Sequence, residues 1–233
     1  SCAFTRCGRT DKGVSATAQV VSLYMRSRLT SGAEFVEGDD EPQTGAASAA
    51  ASESAGGAEE EAKGSAAGDL ELSVAQELDY PRILNSALPP DIRVLGWAPV
   101  PKHFSARFSC DSRTYRYFFT RGTLDINRMQ QAARLFEGTH DFRNLCKMDT
   151  PRVSSFERHI ESFQILPHDT GSADRWRHVY FFQIRGSAFL WHQVRCMTSI
   201  LFHVGLGLEA PEVVSALLDL TAWPRKPSYE MAS

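Results

Sequence analysis

Alternating aromatic and polar side chains predict a β-strand over Ser112–Thr120, in the sequence SRTYRYFFT. A period of two places successive side chains on opposite faces of a sheet. One face then carries Thr114, Arg116 and Phe118, and the other carries Tyr115, Tyr117 and Phe119. The second face is aromatic, which indicates that it packs on a core or lines a pocket.

Apolar periodicity predicts further elements along the chain. Asp125–Phe136 has helical spacing, with Asp125 as its N-cap and Gly138 beyond its end. The other predicted helices are Tyr80–Leu84, Phe189–Val204 and Pro211–Leu220, and the other strands are Thr17–Met25, Ile92–Ala98, His159–Leu166 and Arg177–Arg185. Because strands and helices are mixed without strict alternation, we expect an α+β fold with a largely antiparallel mixed sheet flanked by helices.

The segment from Ser31 to Gln76 has a different composition. It is rich in Ala, Gly, Ser and Glu and has few large apolar residues, so it cannot offset the entropy of ordering, and we expect a disordered insertion in a surface loop. Between Ser31 and Glu77 there are 12 acidic residues and one lysine, so the other 186 residues carry about +8 although the whole chain carries −3. A globular part this basic fits either a polyanionic partner such as nucleic acid or an ordinary basic surface.

The composition argues against several classes of protein. Five cysteines are scattered without a CxxC pair, which favours reduced thiols in an intracellular protein over a disulfide framework or a zinc site. No run of 18 apolar residues is present, so we expect no membrane span. Phosphate-binding loops, dinucleotide fingerprints and Ser-His-Asp signatures are also missing from the sequence.

Cys7–Ala16, in the sequence CGRTDKGVSA, is the first candidate site. Two glycines flank a compact group of charges, and glycine lets the backbone bend sharply or approach a ligand closely. Asp11 stands between Arg9 and Lys12, and neighbouring cations keep a carboxylate ionised, as a nucleophile or base requires. The alternative is a plain turn in which Asp11 bonds its own backbone.

Two further clusters combine cations with aromatic rings. Phe104–Ser109 and the strand that follows interleave Arg107 and Arg116 with Tyr and Phe, a pattern that can hold phosphates and stack on an unpaired base. An amphipathic strand with a core aromatic face explains the same pattern. Gly138–Lys147 ends near several cations and could contact RNA through Lys147, whereas a metal site at its His and Asp lacks a second ligand pair.

Arg195 lies on an otherwise apolar predicted helix, in the segment AFLWHQVRCM. A charge on such a face is costly unless it is paired, so we expect a carboxylate from elsewhere in the protein to meet it. His192 lies three residues earlier. It fits a hydrogen-bonded core histidine better than a catalytic group.

Together these blocks resemble the TruA family of tRNA pseudouridine synthases. GRTDKGV is similar to the family's GRTDxGV motif, FSARFSCDSRTYRYFF to its ARFS and YRY segment, AFLWHQVRCM to its VR helix start, and NSALPPDIRV to its LP-x-DI stretch. GTHDFRNLCKMD and KPSYEMA resemble the eukaryotic branch that modifies the anticodon stem-loop at positions 38/39. The blocks occur in family order from Cys7 to Ala232.

The resemblance implies an isomerase that converts uridine to pseudouridine in tRNA without a cofactor or metal. It makes Asp11 the catalytic carboxylate, whether by attack at C1′, by attack at C6 or by sugar deprotonation. Arg9 would help to fill the space of the flipped base, Tyr115 would stack on that base, and Arg195 would pair with the aspartate. Members of the family are usually homodimers, so a homodimer is a possible state. We expect an intracellular protein of the cytoplasm, the nucleus or both, without a membrane anchor.

The family fold has two ferredoxin-like halves. We expect residues 1–30 and 77–120 to form the N-terminal part of the catalytic domain, 31–76 the insertion, and 121–233 the C-terminal part. Since the family has a strand and helix before its GRTD motif and continues beyond KPSYEMA, we expect this chain to be a piece of a longer protein. Two other functions stay open, a catalytically silent RNA-binding remnant and a metal-dependent RNA hydrolase, although the latter would need clustered ligands.

The insertion should be dispensable for folding and catalysis. Replacing Ser31–Gln76 with a short Gly/Ser linker should leave activity intact and tighten RNA binding at low salt, because the acidic segment repels RNA. Closing a loop costs only about 0.6 kcal/mol per doubling of its length, so either loop is compatible with the fold. Circular dichroism and RNA titrations check this; a loss of folding would show that the segment packs.

Overall fold

The computed structural model describes residues 2–10, 13–28, 77–147, 153–168 and 178–232. The chain divides into two compact units, Ser1–Ser109 and Cys110–Ser233. The predicted insertion lies outside the described residues, and so does Arg177, the first residue of the predicted strand Arg177–Arg185. No helix among the described residues is long and apolar enough to cross a membrane.

The first unit contains two short strands and one helix in its described part. Strand β1 (Thr5–Arg6) pairs antiparallel with β2 (Val21–Ser22), and helix α1 covers Tyr80–Ala87. Asp79 caps α1 by accepting a hydrogen bond from the Arg82 amide at 3.0 Å. The helix was predicted and extends to Ala87, whereas the β-rich run from residue 17 to 25 forms a strand over two residues only.

The predicted strand Ile92–Ala98 is wrong. Its residues have no strand structure, because the side chain of Asn85 takes the place of a neighbouring strand. The Asn85 carboxamide donates to the Val94 carbonyl at 2.9 Å and accepts from the Val94 amide at 2.8 Å. Val94 is half-buried, and a side-chain amide satisfies the polar groups of its backbone here without a ladder.

The second unit is built on a four-stranded antiparallel sheet in the order β3–β6–β5–β4. Its strands are β3 (Arg113–Thr120), β4 (Gly138–Asp141), β5 (Glu157–His168) and β6 (Val179–Gly186), and its helices are α2 (Ile126–Arg134), α3 (Gln193–Gly205) and α4 (Val213–Leu218), with a short 3-10 helix at Arg143–Leu145. The α+β class and the antiparallel sheet are therefore confirmed. The boundary between the units lies at 109/110. The predicted division of the catalytic domain after residue 120 stays a prediction.

The order of the strands in the sheet of this unit differs from their order along the chain. Strand β6 lies between β3 and β5, and the connection from β3 to β5 contains α2 and the edge strand β4. This is the split β-α-β arrangement of ferredoxin-like units. The second helix of such a unit is α3, which comes next after β6 in the chain, with residues 187–192 between them.

The core lies between the aromatic face of the sheet and helices α2 and α3. Tyr117 and Phe119 on β3 are half-buried, and Phe182 on β6 is fully buried beneath the helices, with its ring 4.5 Å from that of Phe119. The fully buried helix residues include Met129, Ala132, Ala133, Met197 and Leu201. Burying each large side chain of this kind contributes about 1.5–3 kcal/mol, so this face holds the helices to the sheet.

Helix α3 begins four residues later than its apolar pattern predicts. His192 has a left-handed backbone, with φ of 59°, which interrupts the helix before Gln193. The Gln193 side chain accepts a hydrogen bond from the Leu190 amide at 2.8 Å and so stabilises the preceding turn. Segment 187–192 therefore forms a connection between β6 and α3, although the predicted helix included Phe189 to His192.

Substitution of Gly186 tests the close packing at the end of β6. A methyl group there would lie 2.7 Å from the carbonyl oxygen of His159, and this backbone atom cannot move aside easily. We expect Gly186→Ala to lower the free energy of unfolding by about 2 kcal/mol, as overpacking does. Gly96→Ala is the control, because a methyl group there meets no atom within 4 Å. Thermal denaturation of both variants checks this, and equal melting temperatures would contradict the packing.

Candidate functional site

The backbone hydrogen bonds of the first unit hold the Cys7–Ala16 motif beside β2. The Cys7 amide donates to the Val20 carbonyl at 2.9 Å, and the Cys7 thiol donates to the Gln19 side chain at 2.6 Å. Gly13 has a φ of +81°, in the left-handed region where a side chain is unfavourable. The glycine after the acidic residue is thus required by backbone geometry, as the sequence indicated.

An open pocket of about 420 Å³ lies at this motif, lined by Arg6, Gly8, Arg9, Thr10, Gln19 and Val21. Arg9 is exposed at the pocket and can reach a ligand within it. Asp11 and Lys12 lie outside the described residues, between Thr10 and Gly13. The catalytic assignment of Asp11 therefore stays a prediction.

The ARFS segment contacts the same pair of strands. The Ala106 amide donates to the Thr5 hydroxyl at 2.9 Å, and the two hydroxyls of Thr5 and Ser22 lie 2.5 Å apart. Ala106 is buried, whereas its neighbour Arg107 is exposed and stacks over Phe108 at 5.1 Å. Two motifs that are about a hundred residues apart in sequence are thus joined within the first unit, and they present Arg9 and Arg107.

Tyr115 lies on the core face of the sheet in the second unit. It is paired with Ile184 of β6 and is half-buried. Its ring meets the ring of Phe189 edge to face, at 5.0 Å between centroids. Edge-to-face packing holds the tyrosine ring in one orientation. Since Phe189 belongs to the AFLWHQVR segment, the structure brings together two of the segments that the sequence singled out.

Arg116 projects from the opposite face of the same strand. Its Nε donates to the Gln183 side chain at 3.0 Å, and its guanidinium lies 5.1 Å from the centre of the Phe181 ring. Phe118, 52% exposed, continues this outer face. Arg116 and Tyr115 therefore serve different surfaces of the sheet and cannot contact the same base.

The Gly138–Lys147 segment is organised by an ion pair. Asp141 accepts hydrogen bonds from both Nε and Nη2 of the Arg143 guanidinium and from the Arg143 amide at 2.9 Å. The side-chain hydrogen bonds are the largest cause of the lowered pKa of Asp141. Arg143 also stacks over Phe156 at 5.5 Å. The acidic residue of this loop thus stabilises the loop itself.

Lys147 lies against the segment that precedes α3. Its Nζ is 4.6 Å from the centre of the Trp191 ring, and its amide donates to the Trp191 carbonyl at 2.9 Å. Trp191 is 48% exposed, so the pair forms a cation and an aromatic surface open to solvent. Such a pair suits a phosphate and a base equally well.

Arg195 lies in the first turn of α3 and is half-buried. Its Nε donates to the Ala232 carbonyl at 2.6 Å, while its own carbonyl accepts from the Ala232 amide at 3.3 Å. The expected carboxylate partner is not found among the described residues, where the guanidinium meets a backbone carbonyl. Pairing with Asp11 stays a prediction, because Asp11 is not described.

The sequence alone indicates no role for the segment near the C-terminus that contacts Arg195. This segment contains the block KPSYEMA, which only resembles the family. A contact through a backbone carbonyl has no signature in the side chains, so no pattern could have identified Ala232. Lys226 was a possible signal, since a lysine in a half-buried position requires an acceptor. Its Nζ donates to the Cys146 carbonyl at 2.5 Å.

Two buried thiols lie near Lys226. Burial raises the pKa of Cys146 to about 11, although the Lys226 charge opposes this, and burial likewise raises the pKa of Cys196. The Lys226 Nζ is 4.0 Å from the Cys196 sulfur. Thiols with a raised pKa are poor nucleophiles, so both cysteines have a packing role here. Among the described residues, no group of three His, Cys, Asp or Glu side chains could hold a metal ion.

The following relatives of this chain are all described as tRNA pseudouridine synthases. A family described as tRNA pseudouridine synthase matches residues 132–233. The chain is 45% identical to the human tRNA pseudouridine(38/39) synthase and 41% identical to that of Saccharomyces cerevisiae, over 98% and 99% of this chain and 43% of each relative. It is 32% identical to tRNA pseudouridine synthase A of Staphylococcus carnosus, over 65% of this chain and 59% of the relative.

The alignments with the human and yeast proteins cover a larger share of this chain than of those relatives. The chain spans less than half the length of the human and yeast proteins, although nearly all of its own residues align with each. The match to the bacterial protein shows that the similarity extends beyond eukaryotes.

Cysteine reactivity should follow burial in the native protein. At pH 8 a thiol with a pKa of about 11 is ionised on the order of 10²-fold less than an ordinary exposed thiol. We therefore expect iodoacetamide to label exposed Cys2 at least that much faster than Cys146, as followed by mass spectrometry. In denaturant the two rates should converge. Equal rates in the native protein would mean that the Cys146 site is open.

Proposed function

Because the chain belongs to the TruA family of tRNA pseudouridine synthases, by similarity over nearly its whole length, we propose that it forms catalytic machinery of a tRNA uridine isomerase. The observation that carries the proposal is that the family's sequence blocks build local sites in both units. The GRTD and ARFS blocks share one pair of strands, and the YRY and VR blocks meet through Tyr115 and Phe189.

The reaction needs no oxidant and releases no group. The N1–C1′ bond of uridine breaks, the base turns while bound, and a C5–C1′ bond forms. The proton lost from C5 is balanced by the proton that N1 gains. Protein groups must therefore reach an unstacked base and hold it while it is detached, which requires a flipped nucleotide in a closely fitting site.

We propose that Asp11 supplies the catalytic carboxylate, by attack at C1′, by attack at C6 or by removing a sugar proton. What supports this is its place in the GRTDKGV motif beside the pocket lined by Arg9 and Thr10. A loop with Gly13 in the left-handed conformation can bring its backbone close to a nucleotide. Arg9, exposed at that pocket, would occupy the space that the flipped base leaves.

Tyr115 and Arg195 are proposed to have two further roles in the reaction. Tyr115 has its ring held edge-on by Phe189, which presents a fixed aromatic surface for stacking on the target base. Arg195 is proposed as the counter-charge of the catalytic aspartate. Its Nε is occupied by the Ala232 carbonyl, while no described residue accepts from either of its Nη groups.

Binding of tRNA is proposed to rest on phosphate contacts from exposed cations. Arg107 and Lys147 each lie beside an exposed aromatic ring, Phe108 and Trp191 respectively, and can contact a phosphate and a base together. Arg116 lies on the outer face of the sheet, away from Tyr115, so it would contact a different part of the tRNA. Positions 38 and 39 are proposed as the modified uridines, since the human and yeast relatives carry those positions in their names.

Asp11→Asn separates chemistry from binding. The amide has nearly the same shape as the carboxylate but no negative charge. In the full-length protein we expect the isomerisation rate to fall by at least ~10⁴-fold, about 5.4 kcal/mol in the barrier. RNA affinity should persist, because phosphate contacts supply most of it. Single-turnover conversion of a tRNA anticodon stem-loop and RNA titration measure the two effects.

Tyr115→Phe is the matched comparison, since it retains the ring that stacks and should reduce the rate far less. Circular dichroism must first show that both variants fold. A folded Asp11→Asn protein that isomerises uridine at a near-normal rate would remove the proposed role. Binding without turnover by the unaltered full-length protein would instead favour an RNA-binding protein that has lost its activity.

A further inference from the structure

The segment Lys226–Ala232 runs antiparallel along one face of α3. Tyr229 meets His203 with ring centroids 5.3 Å apart, the Glu230 carbonyl accepts from the Ser199 hydroxyl, and Ala232 meets Arg195. The three helix residues are spaced by four, which places them on a single stripe of the helix. As the segment advances by three residues, it thus passes from the third turn of α3 to the first.

The contact at the first turn is reciprocal. The Ala232 carbonyl accepts from the Arg195 Nε at 2.6 Å, and the Ala232 amide donates to the Arg195 carbonyl at 3.3 Å. One residue of the segment therefore holds both the backbone and the side chain of the arginine. His192, one turn earlier, meets Met231 at 3.2 Å between Nδ1 and the sulfur.

Two further anchors fix the segment away from Arg195. The Tyr229 hydroxyl donates to the Glu209 carboxylate at 2.9 Å, beyond the C-terminal end of α3. The Lys226 Nζ donates to the Cys146 carbonyl, in the loop that also presents Lys147. Anchors on both sides restrict where the Ala232 carbonyl can lie, so that carbonyl is a fixed acceptor.

We propose that the segment Lys226–Ala232 is a positioning element that orients the Arg195 guanidinium. An arginine side chain has many rotamers, and a fixed acceptor at Nε selects those whose Nε–H points at the Ala232 carbonyl, which fixes the plane of the guanidinium and so the direction of its Nη groups. The role of this orientation rests on the proposed function, in which the Nη groups pair with the catalytic carboxylate. Small displacements of a catalytic group by remote changes can cost up to about 10²-fold in rate.

Ser199 and Thr198 provide a matched pair of substitutions. Ser199→Ala removes the hydroxyl that holds the Glu230 carbonyl. Thr198→Val removes a neighbouring buried hydroxyl that has no hydrogen-bond partner among the described residues. In the full-length protein we expect Ser199→Ala to lower kcat about tenfold with KM unchanged, which is the factor expected for one lost hydrogen bond. Thr198→Val should have normal kinetics, and Ser199→Thr should restore the rate.

A double-mutant cycle separates positioning from general packing. If the segment acts through Arg195, Ser199→Ala should have no further effect on single-turnover rates once Arg195→Met has removed the guanidinium. If the segment only stabilises the fold, the two effects should multiply. Multiplication, or equal rates for Ser199→Ala and Thr198→Val, would overturn the proposal.

A readout independent of activity examines the contact itself. The Nε–H of Arg195 should exchange slowly with solvent in the unaltered protein, as followed by NMR of ¹⁵N-arginine. Exchange should become about tenfold faster in Ser199→Ala and stay unchanged in Thr198→Val. Equal exchange in both variants would overturn the proposal even if the enzyme were inactive. An active Asp11→Asn protein would refute the proposed function but would leave this result standing.

Discussion

Phe182 at the centre of β6 is the contact on which the second unit depends. It is fully buried, with its ring 4.5 Å from Phe119, 5.8 Å from Phe163 and 5.7 Å from Phe202. These rings belong to three elements, β3, β5 and α3, so a single side chain fixes the strand register and the position of the helix together. Because close-packed interiors tolerate little displacement, the start of α3 is held where the sheet ends. Arg195 lies in the first turn of α3, so the packing that holds α3 also sets the position of Arg195.

The first unit holds its candidate residues by different means. Its two strands are two residues long, and the motif loop is attached by hydrogen bonds of Thr5, Cys7 and Ala106 rather than by a large core. Polar anchors of this kind leave the backbone of residues 8–10 at a pocket. That arrangement fits the proposed approach of this loop to a nucleotide.

The sequence predicted the parts of the fold that depend on local patterns. The alternation in β3 placed Tyr115 and Arg116 on opposite faces, and Asp125 capped α2 as its side chain indicated, at 3.0 Å from the Asn127 amide. Parts that depend on distant groups were not predictable. The apolar run from Ile92 appears strand-like, but its backbone partner is the Asn85 side chain, and α3 starts late because His192 adopts a left-handed backbone. The contact between Arg195 and the Ala232 carbonyl was also not predictable from sequence, because any residue can supply a backbone carbonyl.

The central proposal is that the full-length protein that contains this chain converts specific uridines of tRNA to pseudouridine. The most direct test is to map pseudouridine in tRNA from cells that lack the protein and from matched cells that contain it. The account predicts that pseudouridine at positions 38 and 39 disappears without the protein, while pseudouridines elsewhere in the same tRNAs persist. Unchanged pseudouridine at both positions would contradict it.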